Sequence, residues 1–329
     1  MNFITNSTHQ YISKFREVFD IHLKNIQTCH TSTETFVAWN WFTHLGIFSK
    51  RKANNLPFIC FERGALPNTV CLDVNGFNYN SSSYNEANWN VKLSDLDIEV
   101  VDRYISDFKS GGKDLERQKS DNVTADCLLD SLNISRYKKV VFIPLQVSTD
   151  TVIKHFCGYI KTYSNFIDKI HTLARQHKDI LFLYKHHPIE HKTNGKKFLI
   201  DDTSYDNMIC VDDFHFKACI DLCDIVMCIN SGTGLAAMIY NKPTLLFGDA
   251  FYQFNGINHK VTSETNFMDL LYEPLNVDFE RVQKFIYWLT NKFYSSVEWE
   301  FVNQNDMYPS ITKLNEVRLW TGDRSITFK

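Results

Sequence analysis

Ile225-Val-Met-Cys-Ile-Asn-Ser-Gly-Thr-Gly-Leu-Ala-Ala-Met238 decides the fold, and Leu183-Tyr-Lys-His-His-Pro188, about forty residues earlier, repeats its logic. Each opens as a short apolar run of the kind that forms a buried strand, and each ends in polar residues at the strand's C-terminal edge. In an open α/β sheet ligands sit at that edge, because helix N-termini and short loops converge there. In the first stretch Asn230 and Ser231 close the strand, Gly232 and Gly234 let the backbone turn tightly, and Leu235 to Met238 start a helix. Unpaired N–H groups at such a turn can hold a phosphate. The plainer alternative is a tight turn in which Ser231 or Thr233 caps the helix. The dinucleotide pattern GxGxxG and the GK[ST] phosphate loop are both absent.

Working outward, Lys138–Pro144, Ile180–Tyr184, Met208–Val211, Ile225–Ile229 and Thr244–Phe247 read as strands. Helical stretches at His155–Gln176, His215–Cys223 and 234–240 alternate with them. That repetition is Rossmann-like. In the first half, Thr35–Trp39, a helix to about Asn54, and Phe58–Phe61 make one more strand–helix–strand unit, preceded by helical spacing over residues 8–28. Cys71–Gly76 reads as a short strand with an Asn-Gly turn, followed by the polar loop Asn78–Tyr84. Residues 95–109 suit a helix, Ser110-Gly-Gly-Lys-Asp114 a linker, 114–135 a helical connector, and 279–298 an aromatic helix. The expectation is an N-terminal domain over 1–113, a second Rossmann-like domain over 114–278, and a C-terminal helical segment, 279–329, packing back across them.

The chain has 329 residues, enough to bury a sizeable core without staples. Lys plus Arg number 35 against 38 Asp plus Glu, and nothing in that balance suggests a general nucleic-acid binder. Local charge says more. Lys185, Lys192, Lys196 and Lys197, with His186, His187 and His191, form a basic island that suits an anionic substrate or, equally, a solvated loop. Nine cysteines, an odd number with no CxxC pair and several inside apolar runs, such as Cys210, Cys223 and Cys228, read as buried free thiols in a reducing compartment. The first residues lack a leader pattern and no apolar run approaches the roughly 20 residues that span a bilayer. A cytoplasmic protein, with peripheral attachment to the inner membrane left open, is the expectation.

Glu62 and Asp73 stand at or near strand ends beside glycines, where a carboxylate can act as base, acid or nucleophile. The plainer readings are that Glu62 pairs with Arg63 or Arg51, and that Asp73 organises the Asn75-Gly76 turn. The histidines make no recognisable metal set, since HExxH is missing and no zinc spacing occurs. Asp201, Asp202, Asp206, Asp212 and Asp213 suit a cation less well than a solvated acidic loop. GxSxG is absent, which disfavours a serine hydrolase.

Trp39 with Arg51-Lys-Ala53, Leu56-Pro57, Phe61-Glu-Arg-Gly64 and Leu72-Asp-Val-Asn-Gly76 resemble the first half of the bacterial capsule polysaccharide biosynthesis family. Val141-Phe-Ile-Pro-Leu-Gln146, Lys185-His-His-Pro188, Asn230-Ser-Gly-Thr-Gly-Leu-Ala-Ala237 and Lys242-Pro-Thr-Leu-Leu-Phe-Gly248 with Tyr252 resemble its second half, in the family's order. The resemblance implies a GT-B-like α/β fold, with two Rossmann-like domains facing a central cleft. It also implies the activity of a retaining β-Kdo glycosyltransferase using CMP-Kdo, with no further cofactor and no metal, and a saccharide or glycolipid acceptor. Other polysaccharide-assembly proteins would be its partners. By that resemblance His187 contacts the donor phosphate, and Ser231, Gly232 and Thr233 hold its phosphate or ribose side. Lys185, Pro188, Asn230 and Tyr252 complete the donor-binding set. Glu62 would be acid/base or acceptor-orienting, and Asp73 the nucleophile of a glycosyl-enzyme intermediate. Two departures loosen donor identity. Arg63 replaces the second carboxylate of the family's Glu-Asp-Gly-like motif, and Asn230-Ser231 replaces a serine pair. Another nucleotide sugar, inverting chemistry, transfer from CDP-glycerol, and a non-catalytic saccharide-binding subunit are the alternatives.

Overall fold

The computed structural model describes residues 2–4, 34–40, 42–188, 205–303, 309–322 and 325–328. The helix expected over 8–28, the basic island beyond Pro188, and Asp201 and Asp202 lie outside them. The chain divides into one unit formed by Met1–Asp97 with Lys284–Lys329, and a second formed by Ile98–Gln283.

The second unit carries six strands among the described residues, all parallel. Across the sheet they run His259–Lys260, Thr244–Leu246, Ile225–Cys228, Lys139–Pro144, Ile180–Lys185 and Met208–Cys210. Counted in chain order this is 6-5-4-1-2-3, the dinucleotide-fold order read from the other edge, with its switch point between Lys139–Pro144 and Ile225–Cys228. Parallel strands are covered on both faces and so need continuous apolar runs. Ile180–Lys185 and Ile225–Cys228 are buried at every position. The helix expected from His155 begins at Tyr163, with Thr162 accepting the N–H of Asn165. The backbone breaks before it, with positive φ at Gly158 and Lys161. Asp150, and not Ser148 or Thr149, caps the short helix Thr151–His155.

Among the described residues the first unit holds an eight-stranded mixed sheet. Asn2–Ile4, Glu34–Trp39 and Phe58–Arg63 run parallel, as a strand–helix–strand unit through the helix Phe42–Ala53 requires. Thr69–Asp73 then turns back antiparallel to Phe58–Arg63. The hairpin closes through the Gly64 N–H, which donates to the Thr69 carbonyl at 2.9 Å. A Cβ on Gly64 would lie 1.9 Å from Thr69 Oγ1, so only glycine allows that approach.

Two boundaries differ from the sequence reading. Ser110-Gly-Gly is not a linker between domains. It ends the helix Asp95–Lys109, with Gly111 at φ +101° and the Gly112 N–H donating to the Asp107 carbonyl at 3.0 Å, a Schellman-type stop. That helix buries Val101, Ile105 and Phe108, with Lys217 Nζ lying 4.4 Å over the Phe108 ring, so the division falls after Asp97 instead of Lys113. Residues 114–135 hold only the short helix Asp126–Leu129 and a 3-10 turn. The C-terminal segment is not helical throughout. The helix Phe279–Trp288 runs into a π turn, Leu289–Phe293, and then into the strand Ser295–Glu300. There Ser295, Val297 and Trp299 are buried while Ser296, Glu298 and Glu300 are more exposed, the period of two that a strand needs. This strand joins Thr69–Asp73 in the first unit's sheet.

Candidate functional site

The switch point of the second sheet is built around Asn230. Its N–H donates to Gln146 Oε1 at 3.1 Å while Gln146 Nε2 donates to its Oδ1 at 2.9 Å. Its Nδ2 donates to the carbonyls of Val152, Phe156 and Asp249 at 3.0–3.2 Å. One buried amide therefore ties together the loops that follow three strands. Asn230 is a scaffold for the site, fully engaged with the protein itself.

Ser231 follows, its Oγ accepting the Thr233 N–H at 3.2 Å to cap the helix Gly232–Ile239. The Tyr252 hydroxyl donates to the Ser231 carbonyl from below. Tyr252 is wholly buried, and its phenol is held protonated far above the ordinary value by burial. A Cβ on Gly234 would stand 2.4 Å from the Tyr252 hydroxyl, whereas one on Gly232 would meet nothing within 4 Å. The two glycines thus do different work. Gly234 makes room for the tyrosine, and Gly232 stands exposed at the first turn, where its own N–H has no intrahelical acceptor and is open to a ligand. Beside this turn Lys260 Nζ pairs with Asp249 Oδ1 at 2.6 Å and also holds the Gly248 carbonyl.

The Lys185–Pro188 edge stands on the other side of the central strand. Leu145 N–H donates to the Lys185 carbonyl at 2.8 Å. The Ser231 and His187 edges therefore flank Lys139–Pro144 two strands apart, roughly 10 Å between backbones. Lys185 is turned inward, its Nζ donating to the carbonyls of Asp212 and Phe214 at 2.7 and 2.8 Å, and burial lowers its pKa. His186 donates its N–H to Asp212 Oδ1 at 2.7 Å and presents Nδ1 to Oδ2 at 3.0 Å. Burial works to lower the His186 pKa, but the hydrogen bonds and charge of Asp212, with Cys210, outweigh it and bring it to about 9. His187 and Pro188 are half-buried, and His187 lies within electrostatic reach of Asp150 in the loop after the central strand. Lys185 and His186 thus build the turn that presents His187.

The carboxylates fall in the first unit. The register pairs Cys60 with Asp73 and Glu62 with Cys71, which puts both thiols and both carboxylates on one sheet face, the carboxylates as a diagonal pair roughly 7–8 Å apart. Glu62 is a residue of the strand itself and half-exposed. Asp73 is 3% exposed. Its Oδ1 accepts the Asn75 N–H and the Ser83 hydroxyl, each at 2.8 Å, so the carboxylate does organise the Asn75 turn. Oδ2 is buried with no hydrogen-bond partner among the described residues. Burial raises the Asp73 pKa, opposed by Ser81, the Asn75 N–H, Ser83 and Lys52.

Gln146, Asp249 and Lys260 were not singled out from the sequence as site residues, and Asp212 was weighed there only as part of an acidic loop. Gln146 and Asp249 each follow a strand by one to three residues, a signal available beforehand. Asp212 and Cys210 meet His186 across more than twenty residues, which no spacing reveals. His186, Cys210 and Asp212 present ligand atoms within 4.8 Å of one another.

A model of the family described as capsule polysaccharide biosynthesis protein matches residues 101–270. The capsule polysaccharide modification protein LipB of Neisseria meningitidis is 26% identical over 134 residues, 39% of this chain and 32% of that protein. The capsule polysaccharide export protein KpsS of Escherichia coli is 27% identical over 124 residues, 35% of this chain and 31% of that one. The match spans about a third of the length of these curated relatives. Among solved structures, the KpsC β-Kdo 2,7-transferase of Thermosulfurimonas dismutans superposes with a TM-score of 0.57 at 15% identity, covering 94% of both chains. The KpsC β-Kdo 2,4-transferase of that organism gives 0.57 at 12% identity over 84% of each. At such identities the likeness is one of fold, α/β of the GT-B type.

Proposed function

Because the chain belongs to the capsule polysaccharide biosynthesis family, we propose that it is a glycosyltransferase of surface-polysaccharide synthesis that uses CMP-Kdo and retains configuration. The observation that carries the reading is the open Gly232 N-terminus at a Rossmann switch point, set on a buried Asn230–Tyr252 scaffold, with His187 on the neighbouring edge. Donor phosphate would rest on the Gly232 N–H and on the Ser231 and Thr233 hydroxyls, with His187 supplying a further donor. These are preorganised dipoles and hydrogen bonds aimed at the charge that grows on the leaving CMP.

Asp73 is the candidate nucleophile. Its carboxylate oxygen would bond to the anomeric carbon as the bond to the CMP phosphate oxygen breaks, and CMP departs with the electron pair. The acceptor hydroxyl would then give its proton to Glu62, bond to the anomeric carbon, and release Asp73. Ser81 and Ser83 would have to yield for a sugar to reach Asp73, which is buried here. The acceptor would be a saccharide or glycolipid, met at the cytoplasmic face of the inner membrane. Among the described residues no helix is long and apolar enough to cross a membrane. Side chains and backbone of the chain would supply every step of this chemistry, and transfer is expected to need no metal at the reacting atoms and to persist in chelator.

The test is a donor screen. CMP release from CMP-Kdo, together with a sugar adduct on the peptide containing Asp73 when acceptor is withheld, is the expected result. Turnover of CDP-glycerol or of a UDP- or GDP-sugar with CMP-Kdo left intact overturns the donor assignment, and saccharide binding without turnover of any donor overturns the enzyme.

A further inference from the structure

We propose that His186, Cys210 and Asp212 form a three-ligand site for one divalent cation of the zinc class, with a fourth position open to solvent. His186 follows the strand Ile180–Lys185, and Cys210 ends the adjoining strand Met208–Cys210, registered opposite Tyr184. Asp212 lies two residues further on. Both the Asp212 Oδ2, at 3.0 Å, and the Cys210 Sγ, at 4.0 Å, approach the same ring nitrogen, Nδ1. A proton relay would place nucleophile and carboxylate on opposite nitrogens, so this is not a nucleophilic triad. Three donor atoms converging on one small volume is the arrangement of a metal site.

The distances fit. Tetrahedral zinc, with bonds of about 2.0–2.1 Å to nitrogen and oxygen and 2.3 Å to sulfur, separates its N and O ligands by about 3.3 Å and its N and S ligands by about 3.6 Å. The observed 3.0 and 4.0 Å differ from these by a few tenths of an ångström, within the reach of one χ rotation at Cys210. The ring plane is set by Tyr184, edge-on at 5.3 Å between centroids and 90° between planes. Asp212 is held independently, since Oδ1 takes the His186 N–H and its carbonyl takes Lys185 Nζ, and ligation through Oδ2 leaves both bonds in place. Such outer support is what orients first-sphere ligands. One thiolate and one imidazole favour zinc, cobalt or copper over magnesium or calcium. Cys210, expected from its apolar run to be buried, is instead exposed because it ends the edge strand of the sheet, which supplies an entry path and the open position. Binding releases the Sγ proton and any proton on Nδ1 to solvent, with no change of oxidation state.

The turn that presents His187 is already held by the Lys185 and His186 hydrogen bonds, so the site supplies no chemistry there and stands or falls apart from the transferase reading. The 329-residue chain, stripped with chelator and kept reduced with a phosphine, is titrated with Co2+ and then with Zn2+. The expected result is a near-ultraviolet thiolate-to-cobalt charge-transfer band that saturates at one ion per chain and is discharged by Zn2+ but not by Mg2+. In Cys210→Ser the band is lost and binding weakens at least about tenfold. Metal-free Cys210→Ser should unfold at the wild-type temperature, because the side chain is at the surface. Asp212→Asn should keep the sulfur band and weaken binding. No band in the wild-type protein, or a band that survives in Cys210→Ser, overturns the proposal.

Discussion

Asp73→Asn should make the protein more stable at neutral pH while abolishing transfer. The carboxyl is 3% exposed, and its Oδ2 has no hydrogen-bond partner among the described residues. Burial therefore lifts the folded-state pKa above the ordinary carboxylate value. Below that ordinary value the group is protonated in both folded and unfolded chains and has no effect. As pH rises from there towards the folded pKa, the unfolded chain ionises more readily than the native one. Stability is lost over that window and stays lost above it. Asparagine keeps an oxygen to accept the Asn75 N–H and the Ser83 hydroxyl, yet carries no charge to desolvate. A buried, unsatisfied polar atom costs about 1–3 kcal/mol, and more when charged. The expected gain is therefore about 1–3 kcal/mol near neutral pH, a rise of a few degrees in Tm, vanishing as pH falls towards about 4. Asp73→Ala is the contrast, since it strands both donors and should lie about 1–2 kcal/mol below the asparagine variant. Thermal unfolding across pH, with product formation measured on the same samples, is the assay. An asparagine variant that is less stable at neutral pH, or one that still transfers sugar, refutes the reasoning.

Gly232→Ala should leave Tm unchanged or slightly raised, since its Cβ meets nothing and alanine is the better helix former, while the KM for donor rises at least about tenfold. Gly234→Ala should instead lose about 1–3 kcal/mol, because its Cβ collides with the Tyr252 hydroxyl, and calorimetry beside donor kinetics separates the two. Tyr252→Phe removes one of the two hydrogen bonds to the Ser231 carbonyl, which keeps the Gly234 N–H, and should cost about 0.5–1.5 kcal/mol with a partial loss of kcat/KM, as expected of a residue that shapes the turn without touching donor. Lys217→Met should destabilise the second unit by about 3–5 kcal/mol, because the wholly buried ammonium, 3.0 Å from Asp114 Oδ1, leaves behind a carboxylate shared only with His215; urea unfolding reads it.

Which residues gather at the site was legible in the sequence, and which way they face was not. Ile225–Cys228 and Ile180–Lys185 announce themselves because strands covered on both sides must be apolar throughout, so the polar residue that ends each run marks the sheet edge. The order of those strands was not written locally. Only the pairing of Lys139–Pro144 with both neighbours makes its end the switch point and brings Gln146 onto Asn230. Ser110-Gly-Gly misled because glycine serves equally as a linker and as a helix stop, and only the buried Val101, Ile105 and Phe108 decide between them. The strand at Ser295–Glu300 was missed because its alternation begins directly after a helical one, with no glycine or proline between.

Orientation separates the residues of the motif more sharply than their identity does. Asn230, Tyr252 and Gly234 are one packing solution, in which an amide with several partners holds three loops and a buried phenol fills the space a missing Cβ leaves. A change at any of them should be felt first in unfolding. Gly232 and Thr233 stand on the outer side of that solution, where loss of a side chain or gain of a methyl has little to disturb, whereas Ser231 is buried and caps the helix, so its loss is felt in unfolding as well. Effects at Gly232 and Thr233 should therefore appear in donor binding and not in Tm. A motif read as one functional block thus divides into a half that makes the turn rigid and a half that uses the rigidity, and the rigid half is what lets backbone N–H groups face a leaving phosphate without first having to be ordered.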